Sequence, residues 1–322
     1  MFRLYILCLL STFCFIGCGG SNNPSQNDSA RFSPSNLEQN YLCNNSHQAL
    51  SADIYDQPGI HLYVIGDTGT GDDNQRTSAE ILEAYHIQYP LDGIIHTGDI
   101  FYNDGITGID DPYIRSRFLG IYSQLAIANV PWYWTVGNHD YEGSINAIVE
   151  LSEKQSQIHF PYRYYQKSIS KGEISVNLFA VDTTAFILGA EQLDQLAWLN
   201  EALAKSQSQT NLIFGHHPIV SNGKHGGSDI LKAGLQSLLK SFKVPLYLSG
   251  HEHNLEYIES SELPNYLISG AGGAKLRSIE CGKSSAFAQS AFGGFSLYIT
   301  SNQIYIVPVT DPMPQVMYTI IP

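Results

Sequence analysis

At 322 residues, 43% hydrophobic and 15% charged, the chain is a globular protein of one large domain or two modest ones, long enough to bury a sizeable core. Its net charge of −13 makes nucleic acid and anionic membrane surfaces poor partners and leaves carboxylates available for cations.

The first stretch is not part of the fold. Arg3 precedes the apolar run LYILCLLSTFCFI (4–16), which has signal-peptide length and is too short to span a bilayer as a helix. It ends in Gly17-Cys18-Gly19-Gly20, which resembles a bacterial lipoprotein signal: residues 1–17 are removed and Cys18 becomes the lipidated first residue. Phe15 stands where Leu is commoner, so an ordinary secretory signal stays open. Either way the mature protein is exported, as a periplasmic or cell-surface lipoprotein or as a secreted protein. Residues 19–40, rich in Ser, Asn, Pro and Gln, read as a flexible tether. Of the five cysteines, Cys8 and Cys14 leave with the signal and Cys18 takes the lipid. Cys43 and Cys281 remain, either as one disulfide or as two unrelated buried thiols.

From about residue 60 short apolar runs alternate with helical stretches. Strands are predicted at 61–65, 93–97, 131–136, 177–182, 211–215 and 244–250, and helices at 75–89, 111–128, 144–157, 191–205 and 228–242. After Tyr266 the pattern turns to strands and hairpins, including 293–300 and 303–310. The expected fold is α/β, with two packed mixed sheets and helices outside.

Five of the apolar runs lead into a glycine-containing turn bearing Asp, Asn or His: GDTG (66–69), GDIFY (98–102), GNHD (137–140), GHHP (215–218) and GHEH (250–253). Ligands of open α/β sheets bind at the carboxyl ends of strands, and glycine lets the backbone turn there sharply. One such turn is ordinary turn chemistry; five at the same ends are not. They supply Asp67, Asp99, Tyr102, Asn138, His216, His251 and His253, a mixed oxygen and nitrogen set suited to two adjacent, moderately hard metal ions. Such a pair can clamp the attacking and leaving oxygens of a phosphoryl displacement.

These motifs resemble the calcineurin-like metallophosphoesterases. Asp67-Thr68-Gly69 lacks the histidine of the usual Asp-x-His, and Tyr102 follows Asp99 by three, the replacement seen in purple acid phosphatases. VPWYWTVGNHDYEGSINA (130–147), HFPYRYY (159–165), GHEHNLEYI (250–258) and YLISGAGG (266–273) extend the similarity to the small, mammalian-type, tartrate-resistant members over roughly residues 60–310. The resemblance implies a catalytic domain spanning 44–322 behind the 18–43 tether. It implies Fe(III) on Asp67, Asp99, Tyr102 and His253, with Asp99 bridging to a divalent ion (Fe, Zn or Mn) on Asn138, His216 and His251. His139 and His225 are then the substrate-facing histidines. The implied reaction is hydrolysis of small phosphate monoesters by a metal-bound hydroxide, with His139, helped by His225, protonating the leaving group. Acid keeps histidines protonated, so the expected optimum lies below neutral pH. A monomer is expected, touching the membrane only through Cys18. Two alternatives stand: a phosphodiesterase on the same metals, and a non-catalytic surface lipoprotein.

Three departures from that family pattern bear on the site. Ile100 stands where Asn is usual, Tyr141 replaces a His, and the chain after 179–186 runs into the helix at 191 without the long loop that covers the mammalian site until cleaved. The last implies an enzyme active without proteolysis. His217 is expected at the rim or in packing, and Glu252 is expected to point away from the ligands, while His61, His86, His96 and His159 are read as structural.

Overall fold

The structure is a computed structural model and describes residues 41–321. The expected signal 1–17, the anchor Cys18 and the tether up to residue 40 lie outside the described residues. Among the described residues fifteen strands form two sheets. The first contains, in spatial order, β1 (Gln48–Ala49), β15 (Val316–Ile320), β14 (Ile304–Thr310), β13 (Gly293–Ile299), β2 (Ile60–Ile65), β3 (Gly93–His96), β4 (Trp132–Trp134) and β5 (Ile158–His159). The second is ordered β12 (Ser285–Gln289), β10 (Leu255–Ile258), β11 (Asn265–Ser269), β9 (Leu246–Ser249), β8 (Thr210–Phe214), β7 (Ile174–Ala180) and β6 (Tyr165–Lys171). Both sheets are mixed: β2, β3, β4 and β5 run parallel, as do β7, β8, β9 and β11, while the flanking strands pair antiparallel. The α/β architecture with two packed mixed sheets is as expected.

Strand alternation sorts the second sheet between two cores. Leu178, Leu212, Phe214, Leu246 and Leu248 face the shared core with Leu62 and Val64 of β2. Their neighbours Phe179, Ile213 and Tyr247 face a second core beneath helices α6 (Gln192–Lys205) and α7 (Asp229–Ser241). Strand β2 is buried at every residue, which is why it reads as a continuous apolar run with no alternation.

The helices α1 (Asp73–Gln88), α4 (Ile145–Lys154) and α7 begin at side-chain caps, Asp72, Ser144 and Ser228. The helix predicted at 111–128 is not continuous. It consists of α2 (Pro112–Ile114), a π-helical turn Arg115–Leu119 and α3 (Gly120–Tyr122), with a separate 3₁₀ turn at Ala126–Asn129. Gly120 donates its N–H to Arg115, and a Cβ on Gly120 would lie 2.5 Å from that carbonyl oxygen, so glycine permits the wide turn. A short helix α5 (Thr183–Ile187) precedes α6 with only four residues between them. Cys43 and Cys281 form a disulfide, with Cα atoms 5.3 Å apart, closing a loop of 238 residues in sequence. No helix among the described residues is long and apolar enough to cross a membrane.

Candidate metal centre and active site

Asp67, Asp99 and Asn138 follow β2, β3 and β4 of one sheet, whereas His216, His251 and His253 follow β8 and β9 of the other. The turns are held in a conformation that L-residues rarely adopt: φ is 58° at Asp67, 55° at Asp99 and 66° at His251. Such strain persists only where surrounding contacts over-determine it. Here the amide of Asp67 donates to the Gly98 carbonyl (2.9 Å), and the amide of Gly250 to that of His216 (2.9 Å). Glycine is required where the carboxylates rest. A Cβ at Gly137 would lie 2.0 Å from Asp99 Oδ1, and one at Gly250 2.3 Å from Asp67 Oδ2.

At the centre, the Tyr102 hydroxyl lies 2.8 Å from Asp99 Oδ2, 3.0 Å from Asp67 Oδ1 and 3.3 Å from His253 Nε2. Burial raises the pKa of both carboxyls, and the charge of Asp99 raises that of Asp67 further. Burial, followed by the two carboxylates, holds the Tyr102 phenol well above its usual range. Two buried acids around one phenol make an environment that a multivalent cation would stabilise, because its charge inverts all three shifts.

Beside this group, Asn138 Oδ1 lies 3.1 Å from both His216 Nε2 and His251 Nδ1, and those two nitrogens are 3.2 Å apart. Asp99 Oδ2 is 3.4 Å from His216 Nε2, so one carboxylate oxygen adjoins both clusters. The far nitrogens are spoken for: His216 Nδ1 lies 2.9 Å from the Thr97 carbonyl and His253 Nδ1 3.0 Å from the Lys275 carbonyl. A carbonyl only accepts, so each Nδ1 carries the proton and each Nε2 turns a lone pair inward. Metal-ligating histidines are commonly oriented in this way. Burial also lowers the pKa of His216 to about 3 and of His253 to about 4, keeping both neutral. The donors present therefore fit a pair of metal ions.

The outer positions are also occupied. His139 lies against Tyr102, with ring centroids 4.5 Å apart; its amide donates to Asp99 Oδ1 (3.0 Å) and its Nδ1 to the Asn103 carbonyl (2.7 Å). The His225 ring is 4.8 Å from that of His251. Glu252, fully buried, has a structural task at the site: its Oε1 accepts the amides of His225 and Gly226 and so fastens the His225 loop to the GHEH turn. The structure thus brings together all nine site residues singled out in the sequence.

Sequence reasoning gave no role to Asp140, although it lies in the quoted GNHD. Its buried carboxylate accepts from Gly137 (2.9 Å), Ile100 (3.0 Å) and Phe101 (3.0 Å), tying the Asp99 turn to the Asn138 turn. Ile100 therefore contributes its amide there, while its side chain is buried in the core. Arg277 was also missed; its Nη1 donates to the His251 carbonyl (2.7 Å) and lies 3.3 Å from His225 Nδ1. It comes from a loop with no local signal. Tyr141, which stands in place of a His, donates its hydroxyl to Asp182 and accepts from Arg163 (3.4 Å). His61, His86 and His96 make structural hydrogen bonds, with His96 Nε2 reaching Thr68 Oγ1 at 2.9 Å.

Residues 60–255 match the calcineurin-like phosphoesterase family. Over 239 residues the chain is 31% identical to tartrate-resistant acid phosphatase type 5 of Mus musculus, covering 67% of this chain and 73% of that protein. It is 32% identical over 236 residues to purple acid phosphatase 3 of Arabidopsis thaliana, covering 67% and 63%. Two solved structures share the fold. The Plasmodium inner-membrane-complex anchor GAP50 has a TM-score of 0.73 at 22% identity, covering 82% of this chain and 89% of that one. The purple acid phosphatase PPD1 of Lupinus luteus has a TM-score of 0.63 at 16%, covering 83% and 54%. The chain belongs to the calcineurin-like phosphoesterase family, whose members are hydrolases. Within that family it is similar to the acid phosphatases of the purple, tartrate-resistant kind.

Proposed function

We propose that the protein hydrolyses phosphate monoesters in acid at a binuclear centre of Fe(III) and a divalent ion. The observation that carries this reading is the meeting of the Tyr102 hydroxyl with Asp67, Asp99 and His253, since a phenolate among carboxylates favours ferric iron. Asp67, Asp99, Tyr102 and His253 would hold the iron, and Asn138, His216 and His251 the divalent ion, with Asp99 between them. When bound, the pair supplies an activated water and neutralises charge on the transferring phosphoryl group.

The residues around the centre do the rest. Because His139 Nδ1 donates to the Asn103 carbonyl, its Nε2 is the atom left to give a proton to the departing oxygen. Glu252 and Arg277 fix the His225 loop beside His251. The short passage from α5 to α6 supports activity without proteolytic removal of a cover. Export through the 1–17 signal is supported by the Cys43–Cys281 disulfide, a bond of oxidising compartments, while the anchor at Cys18 and the tether to residue 43 rest on the sequence. The GAP50 fold shows that the scaffold also occurs in an anchor, but a purely adhesive protein has no use for His139 at the leaving-group position.

The test is metal analysis and a visible spectrum of the purified protein, with turnover compared on monoester and diester substrates. Two metals per chain, a ferric charge-transfer band lost in Tyr102→Phe, and preference for monoesters are expected. A colourless ferric-loaded protein would remove the purple reading, and diester preference would replace the monoesterase by a phosphodiesterase. Lipid labelling lost in Cys18→Ser tests the anchor; wild-type protein that takes up no lipid sinks it.

A further inference from the structure

His217, read in the sequence as a rim or packing residue, has its proton placed by a neighbour. The Thr183 hydroxyl oxygen accepts the amides of His216 (3.2 Å) and His217 (3.0 Å), which fills both of its lone pairs. It also lies 3.0 Å from His217 Nδ1. Only the hydroxyl hydrogen is left for that contact, so Thr183 donates and Nδ1 accepts. A neutral imidazole that accepts at Nδ1 carries its hydrogen on Nε2. The backbone is held as well, because the Tyr247 hydroxyl donates to the His217 carbonyl (2.9 Å).

The ring stands over the divalent half of the centre, 4.5 Å from the His251 ring and 4.8 Å from that of His216. One of its nitrogens lies within 4.8 Å of nitrogens on both histidines, close enough on distance alone for a third imidazole ligand. The proton inventory points the other way. A ligand nitrogen needs a lone pair, the only one is on Nδ1, and Thr183 occupies it. Nε2–H has no partner among the described residues.

We propose that His217 is a neutral Nε2–H donor to a phosphate oxygen of the substrate on the divalent side, and not a metal ligand. A transferring phosphoryl group spreads charge over three oxygens, and an oxygen turned away from the metals needs a donor fixed in advance. Thr183 is the positioning residue that fixes it. The assignment rests on the metallophosphoesterase reading.

The test uses metal-loaded wild type, His217→Phe, which keeps a ring and removes the donor, and His217→Gln, which returns an N–H at similar reach. Metal content is measured per chain, and inorganic phosphate is titrated calorimetrically. His217→Phe should keep both metals and bind phosphate roughly 10- to 100-fold more weakly, the loss of one hydrogen bond to a charged group, and His217→Gln should recover part of it. Nitrogen-15 spectra of zinc-loaded protein should show His217 protonated at Nε2, a readout that needs no variant to fold. Loss of a metal in His217→Phe would make the residue a ligand, phosphate binding within twofold of wild type would make it packing, and protonation at Nδ1 would break the tautomer argument; each overturns the proposal. Wild type that takes up no metal at all would instead sink the parent reading, and the proposal with it.

Discussion

Strand β2 has a polar recess at each end, and the two are built on opposite principles. At its amino end a cavity of about 380 Å³ is lined by Tyr55, Tyr89, Tyr298, His61, Asp56 and Lys171, among others. Apart from Asp56, its polar side chains have protein partners: His61 bonds the Pro90 carbonyl (3.0 Å) and Ser296 (2.7 Å), Tyr55 meets the Tyr85 hydroxyl (2.5 Å), and Lys171 pairs with Asp92 (2.8 Å). At its carboxyl end, lone pairs of two acids, three imidazoles and an amide converge without a hydrogen atom for each contact. A hollow with satisfied walls contributes packing, whereas a crowd of inward-facing lone pairs is a site for cations. The shape of a recess is thus a poorer guide to chemistry than its proton inventory.

Substitutions can break or sharpen this contrast, and the largest effect is expected at Asp99, which adjoins both halves of the centre. Asp99→Ala should cut turnover by roughly 10³-fold or more, beyond the ~10- to 100-fold typical of an outer partner, and should lower metal content. Full metal occupancy in that variant would contradict a bridging role. His139→Ala comes next. It should lower turnover ~10²- to 10⁴-fold on alkyl phosphates and far less on activated aryl phosphates, and equal losses on both would remove His139 as the acid. Asp140→Asn should cost ~10- to 100-fold in metal affinity, because an amide cannot accept on both sides from Gly137, Ile100 and Phe101. Calorimetric metal affinity equal to wild type would show that the two turns hold themselves.

The smallest effect on activity belongs to the other end of β2. Burial lowers the pKa of His61 to about 4. Below its unfolded value near 6.5 the unfolded chain takes a proton that the folded chain refuses, so the stabilisation present above 6.5 is lost as pH falls toward about 4. At ~1.4 kcal/mol per pKa unit the loss approaches roughly 3 kcal/mol. His61→Gln should therefore be less stable at pH 7 but show a flatter fall in Tm between pH 7 and 5, with turnover unchanged. A steep fall identical to that of wild type would show that other histidines carry the acid sensitivity, and a loss of turnover would show that the two ends are coupled.

Much of this was legible from local pattern. Apolar runs ending in Gly-Asp, Gly-Asn and Gly-His turns marked β2, β3, β4, β8 and β9, because a buried parallel strand must be apolar and its exit must bend. The side chains offered at those exits follow from position alone. What local pattern could not show is which lone pairs face one another. Asp140, Thr183, Glu252 and Arg277 act through partners that come together only in space: Arg277 meets His225 across 52 residues, and Thr183 meets His217 across 34. Helix 111–128 failed for a local reason, since the π closure depends on contact between the Gly120 amide and the Arg115 carbonyl five residues back, which helical periodicity does not encode. The sequence by itself determined the strands that lead into the site, the turns that follow them and the inventory of donors, because those follow from hydrophobicity and glycine placement along the chain. Only the tertiary structure decided that donors from both sheets meet at one centre, that Cys43 joins Cys281, and on which nitrogen His216, His217 and His253 carry their protons, because hydrogen-bond direction is settled by the partner, and these partners are distant in sequence.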